Sequence, residues 1–453
     1  MSKVTQTLAD FVVKTGYLQL TPDTVEKAKQ CFLDWLGSAL AGSIEDAARI
    51  MVSLIDEEGG VEEATVINHS RKNSCLNAAL ANAAMSHILE LDDTHHGAAY
   101  HPAAAVIPSA LAACQKEKTD GKTFLTSLIL GYDASIRIGE AVGPSHYKLW
   151  HTTATCGNFG SCVAAGKVFK LNKDQMINAL GNAGTQAGGL WEFLIDGAMS
   201  KQLHPAKAAQ NGLLAALLAR KGFTGARKIL EGEKGFCRVT SENCHFGKIT
   251  KNLGKDYKIM EVSFKPYASC RHTHSAIDGA KQLITNHELN YKQIAHITLS
   301  TYTTALNIAG GEKSFSPQTA YQAKFSLPFC VALALKYGKV SLDEFSEEKL
   351  KDKDIKELMQ ITRLKVDEKL DARYPEKWPC ILEISTRDGK KYRASVDYPR
   401  GSPQNPLSQE ELEEKFKELA GKVLSPARIE TLLKKVRSLE QIHDMSLFFQ
   451  DIF

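Results

Sequence analysis

No two of the ten cysteines form a C-x-x-C pair, and they are scattered from Cys31 to Cys380. That spacing argues against a zinc ribbon or a cysteine-held iron–sulfur cluster, and reads as reduced, mostly buried thiols of a cytosolic protein. Long apolar runs are missing too, all falling well short of the ~20 residues a membrane span needs. Nor is there a charge excess: 56 Lys and Arg against 52 Asp and Glu leave a net +4, with the two signs interleaved. Such a balance gives no long-range electrostatic case for nucleic acid. The chain has no P-loop, no G-x-S-x-G nucleophile elbow, no H-E-x-x-H, no internal repeat and no low-complexity tail. The opening residues, with Val4, Leu8, Phe11 and Val12 on one stripe, read as an amphipathic helix and not as a signal peptide, so the expected location is cytoplasmic.

What is present is an ordinary soluble composition, 43% hydrophobic and 24% charged, over 453 residues, which predicts two domains. Thr21, Pro22 and the apolar spacing from Val25 to Leu40 predict a capped helix stopping at Gly42. Similar helical runs follow at Cys75–Leu91, Ala103–Lys116, Lys122–Val142, Cys156–Phe169, Lys173–Ala187, Pro205–Lys221 and Ala226–Leu230. Before about Met260 no pair of strands stands out. Near Val262 the pattern changes. Ile294–Tyr302 alternates like a strand, and Cys380–Thr386 and Lys391–Val396 flank an Asp388-Gly389 hairpin step. Helical segments around Ala276–His287, Ala320–Tyr337 and Ser341–Met359 lie between. After a Pro/Gly/Asn linker, Ser408 and Glu411 form a capping box ahead of a returning helical segment. The expected fold is therefore mainly α: a large all-helical domain from residues 1–262 and 399–453, with a smaller α+β domain, 263–398, inserted.

The densest polar chemistry lies in Ser86–Ala113, which packs Glu90, Asp92, Asp93, Thr94, His95, His96 and His101 into twelve positions. Charged and imidazole groups this dense, between alanine-rich segments, cost too much desolvation to be filler. The pattern predicts a helix ending near Thr94, a loop bearing the histidines and a second helix from Pro102, whose N-terminus favours an anion. Four further clusters stand where small or apolar residues are expected: His151 after Leu149-Trp150, Lys201 with His204, Arg271 with His272 and His274, and Lys324. Histidine and lysine at the mouths of helices suit a small polyanionic substrate, because they pair with carboxylates and exchange protons near neutral pH. The set His101, His151, His274 and Lys201 can supply both a base and the cations that stabilise developing negative charge.

Plainer readings stand beside these. His69, His87, His146, His245, His287, His296 and His443 are read as satisfied structural histidines. Lys201 and Lys324 taken singly fit solvated surface positions, and Asp92-Asp93-Thr94 fits a helix terminator. Metal ligation by Asp92, Asp93, His95, His96 and His101 has no specific spacing behind it, so neither metal nor cofactor is expected.

In order and spacing, ELDDTHHGAAYHPAAAVIP, LWHTTATCGNFG, MSKQLHPAKAAQNG, FKPYASCRHTH, TAYQAKFSLPF and GSPQNPLSQEE resemble the MmgE/PrpD family along essentially the whole chain. That family includes 2-methylcitrate dehydratase, cis-aconitate decarboxylase and iminodisuccinate epimerase. The resemblance implies a helical domain built from both chain ends, an inserted α/β domain and a homodimer. Carried over by motif, it implies catalytic roles for His101 as general acid/base and for Lys201, His151 and His274 in holding carboxylates or relaying protons. It implies substrate-binding or orienting roles for Asp93 and Thr94, to which Arg271, Lys324 and Glu90 are added; Glu90 stands where the decarboxylase branch has an aspartate. At the HP step this chain reads HPAAA where the dehydratase branch reads HPSDN, a departure that brings it nearer the decarboxylase and epimerase branches.

The expectation is a cofactor-independent lyase, dehydratase or decarboxylase, acting on a small di- or tricarboxylate by proton transfer beside a carboxylate. Its partners are expected to be that substrate and a second copy of the chain, with no nucleic acid and no membrane. An isomerase epimerising a related dicarboxylate is the alternative, and a non-catalytic carboxylate-binding protein is a third.

Overall fold

The structure, a computed structural model, describes residues 3–453. Helices dominate it, as the composition of the N-terminal half predicts. Contacts divide the chain into two compact units. The first runs through Ile88, resumes over Asp92–Val262 and takes in Ser408–Phe453, while the second comprises Leu89–Leu91 and Ser263–Leu407.

In the first unit, α1 (Pro22–Gly42) starts as predicted, with Thr21 Oγ1 accepting from Thr24 N–H and Pro22 at the first helical position. Its end has a different cause from a glycine stop. A Cβ on Gly42 would lie 2.0 Å from the Met85 carbonyl oxygen, so the glycine is there for a close helix crossing with α2 (Cys75–His87). The remaining framework is α3 (Pro102–Glu117), α4 (Gly121–Tyr147), α5 (Thr152–Val168) and α6 (Ser200–Arg220). Helix α5 is buried along almost its whole length and packs on α3, α4 and α6. Small residues permit this: a Cβ on Gly160 would meet Val106 at 2.7 Å and Ser135 at 2.8 Å. Among the described residues, no helix is long and apolar enough to cross a membrane.

Three expectations fail in this unit. Helix α2 stops at His87 and does not reach Leu91 or Thr94, because Glu90 takes a left-handed backbone at φ 60° that ends any helix. Ala226–Leu230 forms turns instead of a helix. Its buried Ile229 and Leu230 serve tertiary packing, and so short a run cannot sustain a helix alone. A short antiparallel pair, Ala64–Thr65 with Lys72–Asn73, lies where no strands were expected.

In the second unit, α7 (His274–His287) and α8 (Leu327–Tyr337) accompany a four-stranded sheet of β1 (Ile294–Thr301), β2 (Thr362–Val366), β3 (Cys380–Thr386) and β4 (Lys391–Val396). Its order is β2-β1-β3-β4, with β1 and β2 parallel and the other pairs antiparallel. The Asp388-Gly389 step makes the β3–β4 turn, Gly389 at φ 85°, and sets Cys380 opposite Val396. Strand β2 escapes the sequence pattern because it is a short edge strand whose Arg363 and Lys365 leave only Thr362 buried. The expected helix Ser341–Met359 is broken at Asp352, which caps a new helix over Lys353–Gln360. The predicted Ser408–Glu411 capping box forms at α9 (Gln409–Ala420), in the first unit.

Candidate active site

The turn that ends α2 leads into a compact loop. His95 and Tyr100 pair through two backbone hydrogen bonds, His95 N–H to Tyr100 O at 2.7 Å and the return bond at 3.3 Å. The chain then enters α3 with His101 as its N-cap residue and Pro102 in the first turn.

Within this loop the acidic pair divides its work. Asp93 Oδ1 accepts from Ala103 N–H at 3.0 Å, at the start of α3, and its Oδ2 accepts from Tyr132 Oη–H at 2.8 Å. Burial, and then the nearby Asp34 carboxylate, push the Asp93 carboxyl well above the usual carboxylate range. The Asp93 backbone carbonyl accepts from His101 Nδ1–H at 2.8 Å. That bond places the proton of a neutral His101 on Nδ1. Asp92, fully buried, accepts from His87 Nδ1–H at 2.7 Å and lies 3.5 Å from His101 Nδ1. Thr94 is buried, and its hydroxyl donates to Tyr100 O at 3.3 Å.

Around His101 the first unit collects further imidazoles. The His87 ring lies 5.0 Å from His101 edge to face and 5.9 Å from His151 in a stacked arrangement. His151 N-caps α5, and its backbone N–H donates to Gly189 O at 3.0 Å. Its Nδ1 meets His204 Nδ1 at 2.9 Å. Burial, followed by the charges of His204, Lys201, His87 and His101, holds His151 well below the ordinary imidazole range. Burial, His87 and Lys201 bring His204 down to about 4. Both rings are therefore neutral at pH 7, and the buried Lys201, in the first turn of α6, lies near enough to act on both. Trp191 and Phe193 wall this pair, with the Trp191 ring 4.9 Å from His151 and Phe193 5.3 Å from His204.

The second unit holds the other residues singled out from the sequence. His274 is fully buried; its Nδ1 accepts from Arg271 Nη1 at 3.0 Å and its Nε2–H donates to Ser269 O at 3.2 Å. Arg271 also donates to Arg400 O at 2.8 Å, Pro399 O at 3.3 Å and Ser402 Oγ at 2.9 Å, tying it to the GSPQN turn. Burial brings its guanidinium down to about 10. Lys324 Nζ donates to Leu89 O at 3.0 Å, and Lys265 Nζ donates to Glu90 O at 3.0 Å with the Glu90 carboxylate 3.7 Å away. Two buried lysines thus hold the backbone of Leu89 and Glu90, and Glu90 keeps its left-handed turn.

Three residues at the centre of the imidazole cluster were assigned no catalytic or substrate-binding role from the sequence: His87, read as structural; Asp92, placed in the dense polar stretch and weighed as a helix terminator or metal ligand; and His204, noted beside Lys201. The signal for His87 is its place at the end of α2, one short turn before the acidic pair. Among the described residues, two groups have donors close enough for a cation, His87 with Asp92 and His101, and His95 with Glu140 and Glu261. Hydrogen bonds already use the first group, and Lys258 Nζ sits at 3.1 Å from Glu140 and 2.9 Å from Glu261 in the second.

Comparison with known proteins gives a consistent picture. Residues 6–248 match the MmgE/PrpD N-terminal domain, and residues 267–441 match the MmgE/PrpD C-terminal domain. A cis-aconitate decarboxylase-like protein of Aspergillus oryzae is 27% identical over 98% of this chain and 96% of its own length. The cis-aconitate decarboxylase of Aspergillus terreus is 26% identical over 98% of this chain and 95% of its own. The human cis-aconitate decarboxylase is also 26% identical, over 99% and 94%.

Proposed function

The chain belongs to the MmgE/PrpD family and is a lyase of that type, and from this premise we propose that it decarboxylates a small unsaturated tricarboxylate of the cis-aconitate class. The observation that carries the proposal is His101: a half-buried imidazole at a helix N-terminus, its Nδ1–H held by a backbone carbonyl and its flank set against the buried Asp92. In the proposed reaction the C–C bond to one carboxylate breaks and carbon dioxide leaves. The bonding pair passes through the neighbouring double bond to the carbon beyond, which takes a proton from His101 Nε2. In that step the imidazolium would stand 3.5 Å from the Asp92 carboxyl. Lys201, in the first turn of α6, and His151, the N-cap residue of α5, hold a carboxylate of the substrate. His274 and Arg271, and the chain's assembly as a homodimer, belong to the same proposal through the family motifs.

The imidazole chemistry needs no metal or cofactor. The test is proton NMR of chelator-treated protein in deuterated water with cis-aconitate, citrate, 2-methylcitrate and iminodisuccinate supplied separately. Carbon dioxide and a singly deuterated alkene dicarboxylate from cis-aconitate are expected. Loss of water from a citrate would make the protein a dehydratase, and label exchange without product an isomerase. His101→Ala should keep the wild-type circular dichroism and lose ~10²- to 10⁴-fold in kcat, the usual worth of a general acid.

A further inference from the structure

The contact between His151 and His204 poses a problem of proton placement. Their Nδ1 atoms are 2.9 Å apart, so one ring must donate and the other accept. Burial and the neighbouring Lys201 keep both rings uncharged. A neutral pair sharing one Nδ1 proton has two arrangements. If His151 donates, its Nε2 is a bare lone pair; if His204 donates, His151 Nε2 carries a hydrogen. The first would face an anionic substrate with a repelling lone pair. The second offers a neutral donor beside the Lys201 ammonium, at the N-terminus of α5 where an anion is already favoured.

We propose that His204 is a positioning residue: it donates its Nδ1–H to His151 Nδ1 and thereby fixes His151 as the Nε2–H tautomer that hydrogen-bonds a substrate carboxylate. The surroundings hold the pair in register. Phe193 packs edge-on against His204 at 5.3 Å and tilted against His151 at 5.9 Å, while Trp191 covers His151 at 4.9 Å and is anchored by its Nε1–H to Tyr147 O at 2.8 Å. Gly189 lets the chain pass here, since a Cβ on it would lie 2.3 Å from Ala154 and 3.4 Å from the His204 ring. His204 is half-buried whereas His151 is 3% exposed.

This inference rests on the carboxylate reading of the site, and its test separates the two. His204→Asn keeps an N–H near the Nδ1 position, and His204→Leu removes it. With cis-aconitate as probe, His204→Leu should raise KM ~10- to 100-fold with kcat within about threefold, because a carboxylate contact made equally in ground and transition states is lost. His204→Asn should stay within about threefold of wild type in both. Independently of turnover, ¹⁵N-histidine NMR of the full chain should show His151 protonated on Nε2 in wild type and His204→Asn, and a mixture of tautomers in His204→Leu. A His151 carrying its proton on Nδ1 in wild type, or an unchanged tautomer in His204→Leu, would overturn the proposal; so would His204→Asn failing as badly as His204→Leu. Wild-type protein that is silent on cis-aconitate but shows the expected tautomer pattern would sink the decarboxylase reading and leave the His204 assignment standing.

Discussion

Asp92 holds His87 by a 2.7 Å hydrogen bond and lies 3.5 Å from His101, so one buried carboxylate serves two imidazoles. Both contacts are made to Oδ2, so replacement by asparagine can keep the shape and an accepting oxygen there while removing the charge. The expected outcome for Asp92→Asn is a kcat loss of ~10²- to 10⁴-fold at unchanged thermal stability, the scale seen when an orienting carboxylate beside a catalytic histidine is neutralised. Wild-type turnover in this variant would remove Asp92 from the mechanism. At this scale the sequence points to the loop but not to the division of labour inside it. Asp92 and Asp93 are identical in type and adjacent. Only the backbone direction after the left-handed Glu90 turns one toward the histidines and the other toward Ala103 and Tyr132. His87 was legible as a buried histidine and nothing more, because its neighbours His101 and His151 come from other elements.

At the scale of elements, the packing of α1 on α2 positions His87 at the end of α2. An alanine at Gly42 would drive a methyl into the Met85 carbonyl oxygen, built at 2.0 Å, and neither atom belongs to a flexible side chain. Gly42→Ala should therefore cost at least ~1–3 kcal/mol, the usual penalty of overpacking, and lower activity as α2 shifts. Gly247→Ala, where a Cβ meets nothing within 4 Å, is the control and should be neutral in the same thermal melts. Equal melting temperatures for the two variants would rule out the close crossing. Elements with a local chemical signal were legible: the Thr21 cap, the Ser408–Glu411 capping box and the Asp388-Gly389 turn all form. Elements defined by their neighbours were not. Strand β2 exists because β1 supplies its partner, and Ala226–Leu230 loses its helix because Ile229 and Leu230 are fixed by packing.

Over the whole molecule, the predominance of helix follows from long alanine-rich runs with helical apolar spacing, whereas the gathering of histidines distant in sequence follows from how those helices cross, which no local pattern records. The same burial makes ionisable groups costly in ways that oppose each other. Buried carboxylates such as Asp34, Asp133 and Asp278 are raised, chiefly by burial, and so favour the folded state as pH falls. Buried imidazoles do the reverse. His146 donates Nδ1–H to Thr240 O at 3.0 Å and accepts from Thr155 Oγ1–H at 2.8 Å, and burial brings it from 6.5 to about 4. Above pH 6.5 neither folded nor unfolded His146 holds the extra proton, so its full contribution is present. Between 6.5 and about 4 the unfolded chain takes up the proton and the folded one does not, and stability on the order of 3 kcal/mol is progressively lost. Comparison with His146→Leu cancels the carboxylates, which both proteins share. At pH 7 the wild type should be the more stable by ~1–3 kcal/mol, because leucine leaves the Thr240 carbonyl without its donor, while the Thr155 hydroxyl keeps only its longer bond to Thr152 O. By pH 4 that advantage should have closed or reversed in urea unfolding curves. A gap that stays constant from pH 7 to pH 4 would mean that His146 titrates alike in both states and that its burial carries no pH cost.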